Sequence, residues 1–289
     1  MSIAGINSPK AESRFETRPL TDSFGIEILD FDPSIPHTPQ TYQAIREMAD
    51  KHLVLLFRNK KISEEQHVEF SKGLGNIDMP VEGSWSSRRN PAILRLGNVD
   101  WEGNHLAQES PQVAYAREAE KWHSDGSFRP VPNYLTVLHS LEIPPEGGDT
   151  HFASMVAAFE ALDPSLQNKL RALQMEHPYP HRGVVIQDWK GQAIKSSTHP
   201  VVRRLQDGRE ALFISIRGRI PGMDPAENAK LIDDLFVHAT QPQFVYAHHW
   251  KAGDTLIWNN RGLIHQAQLY DGKYRRLLQR TEVTERPAA

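Results

Sequence analysis

The chain has 289 residues, a formal net charge of −3 and a pI near 6.5, with 39% hydrophobic and 24% charged residues. That is room for a sizeable core, and the mild acidity excludes a basic footprint for nucleic acid or an anionic membrane surface. Cysteine is absent, which excludes disulfides, thiolate metal sites, iron–sulfur clusters and a cysteine nucleophile, so any metal must be held by His, Asp or Glu.

Residues 1–20 read as a polar leader with at most one strand and no apolar run of the signal-peptide kind. Thr38-Pro39 predicts an N-cap and a first-turn proline, opening a helix with Tyr42, Ile45, Met48 and Ala49 on one face. His52 to Arg58 reads as a buried strand; Leu53 to Phe57, the longest apolar run, is far too short to span a bilayer. With neither a signal peptide nor a span, the expected location is the cytoplasm. Ser63 and Gln66 form a capping-box pattern for a second helix ending near Gly73. Residues 76–121 read as mostly loop with one strand at Ile93 to Leu96, a length typical of a lid or binding loop. Tyr134 to Leu141 predicts a strand, and Ser154 to Leu173 two short helices broken at Pro164. Residues 177–210 read as loop, and Asp224, Pro225 and Glu227 open a helix to about Ala239. Four strands follow, over Phe244 to Trp250, Thr255 to Trp258, Leu263 to Gln268 and Arg275 to Val283. The fold class expected is mainly β with flanking helices, a barrel or jelly roll in a single domain over 1–289.

Chemistry concentrates in two segments. In Trp122-His123-Ser124-Asp125, an extended backbone would aim His123 and Asp125 to one side. An imidazole and a carboxylate completed by a distant histidine give a two-His, one-carboxylate face that suits non-heme iron(II) and leaves positions open. A solvated turn offers the same triplet. The second segment runs from Trp258 to His265, with Arg276 and Arg280 beyond it at an even separation. Inward guanidiniums need anions. An exposed edge-strand charge pair is the alternative, and alternation alone does not say which face is inside.

These residues, with Gly126-Ser127-Phe128 and Pro144-Pro145-Glu146-Gly147-Gly148-Asp149-Thr150, resemble the taurine/2,4-dichlorophenoxyacetate dioxygenases over about residues 20–285. His238-Ala239-Thr240-Gln241 and Phe244-Val245-Tyr246 are similar to the phenoxyacetate branch. The resemblance implies a double-stranded β-helix (jelly roll, cupin-like) with iron at one mouth, 2-oxoglutarate as co-substrate and dioxygen as oxidant. By it, His123, Asp125 and His265 match the iron ligands, and Arg276 and Thr150 the residues that hold 2-oxoglutarate. Arg280 matches the arginine that meets the acidic group of the substrate, and Phe128 and Trp258 the aromatics lining the pocket. The expected reaction is oxidation of a small carboxylate-bearing or otherwise anionic molecule, with release of succinate and carbon dioxide. The retained Asp125 implies oxygen transfer rather than chlorination, and relatives suggest a dimer or tetramer.

Two departures stand out. The histidine and tyrosine that taurine enzymes carry near Gly75 to Pro80 are absent, and so are the lysines of the phenoxyacetate enzymes, since no lysine lies between Leu74 and Glu120. Rival readings of the same residues are a non-catalytic organic-acid binder and a metal-dependent hydrolase. His248-His249 alternate across a strand, so one is expected packed and the other solvated. His105 reads equally as a lid-lining or a solvated loop histidine, His139, His151, His177, His181 and His199 carry no partner spacing, Trp85 and Trp101 read as loop anchors, and Glu118 and Glu120 as a solvated face.

Overall fold

The structure is a computed structural model that describes residues 15–80, 85–179, 193 and 196–285. Most of the leader, part of the 76–121 segment and His181 lie outside the described residues. The chain-order elements are β1 (Thr17–Pro19), β2 (Ile26–Ile28), α1 (Pro39–His52), β3 (Val54–Phe57), α2 (Glu64–Leu74), β4 (Asn76–Asp78) and β5 (Leu94–Gly97). Next come α3 (Pro111–Arg117), β6 (Leu135–Glu142), β7 (Thr150–Ser154), α4 (Met155–Glu160), α5 (Pro164–Arg171) and β8 (Gln174–His177). Then follow β9 (Ser197–Pro200), β10 (Val202–Arg204), β11 (Glu210–Leu212), α6 (Pro225–Ala239), β12 (Val245–His248), β13 (Thr255–Asn259), β14 (Leu263–Ala267) and β15 (Leu277–Thr284).

The helix starts follow their caps. Thr38 accepts from the backbone N–H of Thr41, and Ser63 and Gln66 close the reciprocal box of α2. Among the described residues, no helix is long and apolar enough to cross a membrane.

A large sheet runs β1-β2-β3-β13-β6-β15-β4, with β5 also on β15; a three-stranded sheet, β12-β7-β14, lies apart from it. Pairing is antiparallel except between β2 and β3. The jelly-roll expectation holds: the two sheets enclose the core. Phe152, Leu138, Leu256, Trp258 and Ile264 fill the space between them, while Ile45, Met48, Phe70, Leu135, Val137 and Ile257 form a second core beneath α1 and α2. The large sheet is therefore covered on both faces, so its central strands read as unbroken apolar runs instead of alternating ones.

The sequence reading misses β2, β7 and β8, and two stretches read as loop hold more structure than expected. Residues 76–121 hold β4 and α3 besides the expected β5, and the 177–210 stretch carries β9 and β10 and reaches β11. The missed strands have three to five residues each, too few to establish a period.

Candidate active site

His123 and His265 are brought together by backbone pairing. Each N–H donates to the other's carbonyl, at 3.0 and 2.8 Å, so the residues stand directly opposite in an antiparallel bridge with ring centroids 4.1 Å apart. Asp125 completes the set. One atom from each of His123, Asp125 and His265 lies within 4.8 Å of the others. His123 Nε2 is 3.7 Å from Asp125 Oδ1, and His265 Nε2 is 3.6 Å from Oδ2, too long for direct hydrogen bonds.

Donor chemistry supports a cation between them. His123 Nδ1 donates to the carbonyl of Lys121 (2.7 Å), which fixes the tautomer and leaves the Nε2 lone pair facing the carboxylate. Burial lowers the pKa of His123 and pushes that of His265 down to about 3, so both imidazoles are neutral, as ligands must be. Burial raises the Asp125 carboxyl, but the Arg280 guanidinium beside it outweighs that and holds it below the usual carboxylate range. Two neutral imidazoles with Nε2 turned to a carboxylate fit one divalent ion.

Asn260, which sequence reasoning missed, orients this carboxylate. Its Oδ1 accepts from the Asp125 N–H (3.2 Å) and from Trp258 Nε1 (3.0 Å), and its Nδ2 donates to Thr136 Oγ1 (2.9 Å). Thr136 passes the bond on to Asp125 Oδ2 (2.7 Å). Trp258 does not line the pocket, contrary to expectation. It is 1% exposed and packs beside His265, with ring centroids 4.7 Å apart. Alternation along β13 puts it in the layer between the sheets, where a large ring braces the ligand behind the site.

In front of the triad lies a cavity of about 170 Å³. Phe128 lines it as expected, edge-on to Tyr179 with centroids 4.7 Å apart. β4, β5 and α3 contribute Asp78, Leu94, Leu96 and Tyr115, so the 76–121 segment is a structured wall among the described residues. Trp85 and Trp101 are not part of the lining, and Trp101 sits under Arg95 at 4.8 Å. Glu118, expected in solvent, lines the cavity and pairs with Arg217 (3.1 Å). Lys121, one residue past the lysine-free stretch, also reaches it.

Arg280 lines the cavity, with Nη1 donating to Asp125 Oδ1 (2.9 Å) and Nη2 2.7 Å from Glu282 Oε1. The guanidinium has five N–H donors, and Arg280 Nε is buried with no hydrogen-bond partner. Burial raises the Glu282 carboxyl, with Arg280 opposing. Arg276 serves a separate small cavity with Gly97, Gln268 and Tyr270. It is 7% exposed, and its Nε and Nη2 donate to the Gly148 carbonyl (3.3 and 3.0 Å). Among the described residues no carboxylate pairs with Arg276. Burial pushes it down to about 10, so it still carries its charge at neutral pH. Thr150 is buried and its Oγ1 accepts from Trp250 Nε1 (3.0 Å). The two arginines share a side of the β15 strand line, yet four residues of extended chain separate them by about 13 Å.

His248 is buried against Asp254 (3.2 Å), whereas His249 is 81% exposed, the split expected of neighbours on a strand.

Residues 16–281 match the family model described as taurine catabolism dioxygenase TauD, TfdA family. The chain is 31% identical over 270 residues to the alpha-ketoglutarate-dependent 2,4-dichlorophenoxyacetate dioxygenase of Cupriavidus pinatubonensis, covering 89% of this chain and 92% of that one. It is 27% identical to the (S)-phenoxypropionate/alpha-ketoglutarate-dioxygenase of Sphingobium herbicidovorans, covering 83% of this chain and 84% of the relative. Among solved structures, AAD-2 in complex with Mn(II) and N-oxalylglycine superposes with a TM-score of 0.85 at 29% identity, over 94% of this chain and 98% of AAD-2.

Proposed function

Since the chain belongs to the taurine catabolism dioxygenase TauD, TfdA family, whose chemistry runs on iron(II), 2-oxoglutarate and dioxygen, we propose that His123, Asp125 and His265 hold the iron and that the cavity before them takes a small organic acid. The observation that carries this reading is the convergence of three ligand atoms, with His265 joining the distant pair His123 and Asp125, which line one cavity. Bound iron and 2-oxoglutarate would activate dioxygen, the oxidant, with 2-oxoglutarate oxidised to succinate and carbon dioxide; the protein supplies position and a dry site.

In this reading Arg276 pairs with the distal carboxylate of 2-oxoglutarate, its buried charge lacking an acidic partner among the described residues. Thr150 supports it through the hydroxyl hydrogen that its bond from Trp250 leaves free. Arg280 anchors the acidic group of the substrate through the donors not engaged by Asp125 and Glu282. Phe128 and Tyr179 face its apolar body, and Trp258 holds His265 in place. The chain acts as one catalytic domain in which the 76–121 wall closes the substrate side.

A metal-dependent hydrolase could use the same three ligands, but Arg276 would then have no task. Anaerobic addition of iron(II) and 2-oxoglutarate is expected to produce a visible charge-transfer band. No band with the wild-type protein, or an unaltered band in His123→Ala, overturns the assignment.

A further inference from the structure

Glu282 has no task in the reading above. It follows Arg280 by two positions on β15, so both side chains face the cavity, and both line it. The Glu282 side chain is 15% exposed, its Oε1 lies 2.7 Å from Arg280 Nη2, and Asn133 Nδ2 donates to its other oxygen. Directly across the ladder stands Asp78, a second carboxylate on the cavity wall. Like charges opposite one another in a sheet repel, and here each is balanced separately, Asp78 by Arg129 at 2.9 Å and Glu282 by Arg280.

This arrangement changes what Arg280 can accept. A metal ion at the triad would take over the charge of Asp125, while no triad side chain bonds to Glu282 among the described residues. A ligand with an anionic group alone, held by the remaining donors of Arg280, would leave two buried carboxylates, its own and that of Glu282, sharing one guanidinium charge, a costly state in a protein interior. A ligand carrying both signs avoids that state. Its acidic group takes Arg280, its cationic group takes Glu282 with Asp78 behind it, and each buried charge keeps a partner. The aromatic faces of Phe128 and Tyr179 accept an apolar body, and also the flank of a cation.

We propose that Glu282 is a specificity-determining residue that selects a zwitterionic substrate, an organic acid with an ammonium group close to its acidic group, over a simple monoanionic acid. The proposal rests on this cavity being the substrate site of a 2-oxoglutarate-dependent dioxygenase.

The test uses full-length protein loaded with manganese(II) and 2-oxoglutarate under nitrogen, so that binding is read without turnover. Calorimetry compares 3-phenylpropanoate with phenylalanine and 3-amino-3-phenylpropanoate, which share its body and add an ammonium group at one carbon or the next. Wild-type protein is expected to bind one of the amino acids about tenfold or more tighter than the plain acid. Glu282→Gln is expected to reverse that order by weakening the amino acid and strengthening 3-phenylpropanoate. If 2-oxoglutarate itself fails to bind the manganese-loaded protein, the site reading falls, and the role of Glu282 with it. If 2-oxoglutarate binds and no preference for either amino acid is found, absent binding of all three included, the Glu282 proposal alone is overturned. The wild-type comparison decides by itself should Glu282→Gln not fold.

Discussion

β15 carries buried polar groups on both its faces, and the two faces do opposite things. Toward α2, Thr281 Oγ1 meets His67 Nε2 (3.1 Å) and Ser71 Oγ (2.6 Å), and Ser71 donates back to the His67 carbonyl (2.9 Å). His139 on the neighbouring strand is tied to Thr255 Oγ1 at 2.9 Å. Toward the cavity, Arg280 and Glu282 stand before three side chains whose facing atoms make no bond with one another. Burial pushes His67 and His265 down to the same value, about 3. Depth and a displaced pKa therefore do not mark a site. What separates the two clusters is closure: beneath α2 the hydroxyls and rings bond among themselves, whereas at the cavity the lone pairs converge on a common point.

The largest effect that sharpens this contrast is expected at Arg276. Arg276→Ala should raise the KM for 2-oxoglutarate about a hundredfold, as loss of one partner of a buried charge pair does. An unchanged KM would detach that arginine from the co-substrate.

Next comes a matched pair, one threonine from each face. Thr136→Val removes the bond to Asp125 Oδ2 and should weaken iron(II) affinity about tenfold to a hundredfold. Thr281→Val should leave iron affinity alone and lower unfolding stability by about 1–2 kcal/mol. Metal titration and urea unfolding on both variants check this; equal effects on both readouts would erase the distinction between the faces.

The smallest effect is in pH dependence. Burial pushes His67 and His139 down to about 3 and about 4 from the ordinary histidine value near 6.5, so the folded state binds fewer protons than the unfolded chain between those values. Their stability contribution is fully present above about pH 6.5 and is lost as pH falls, by about 1.4 kcal/mol per pH unit for each histidine. His67→Asn should flatten the acid limb of the stability curve by that slope, and an unflattened limb would show that His67 titrates normally.

Much of the frame was legible beforehand because its signals are local. Thr38-Pro39 and the Ser63–Gln66 box place α1 and α2 through hydrogen bonds within one turn. The same signal, Ser110-Pro111, marks α3 and was passed over inside a segment read as loop. Glu282 carries no signal in the sequence reading, and Glu118 reads as part of a solvated face. Only the neighbouring wall of β4 and α3 turns them inward.

From its sequence alone the chain settles which chemistry is open to it: no thiols, two imidazoles and a carboxylate at usable spacings, and two arginines at an even separation near the C-terminus. These follow from residue type and from the fixed geometry of an extended backbone. That His265 stands beside His123, that Asn260 and Thr136 aim Asp125, that Trp258 lies behind the ligands and that Glu282 faces Arg280 belong to the tertiary structure. Sheet pairing joins residues without regard to their separation in sequence, and the helices covering one side of the large sheet decide which of its two faces is left to form the site.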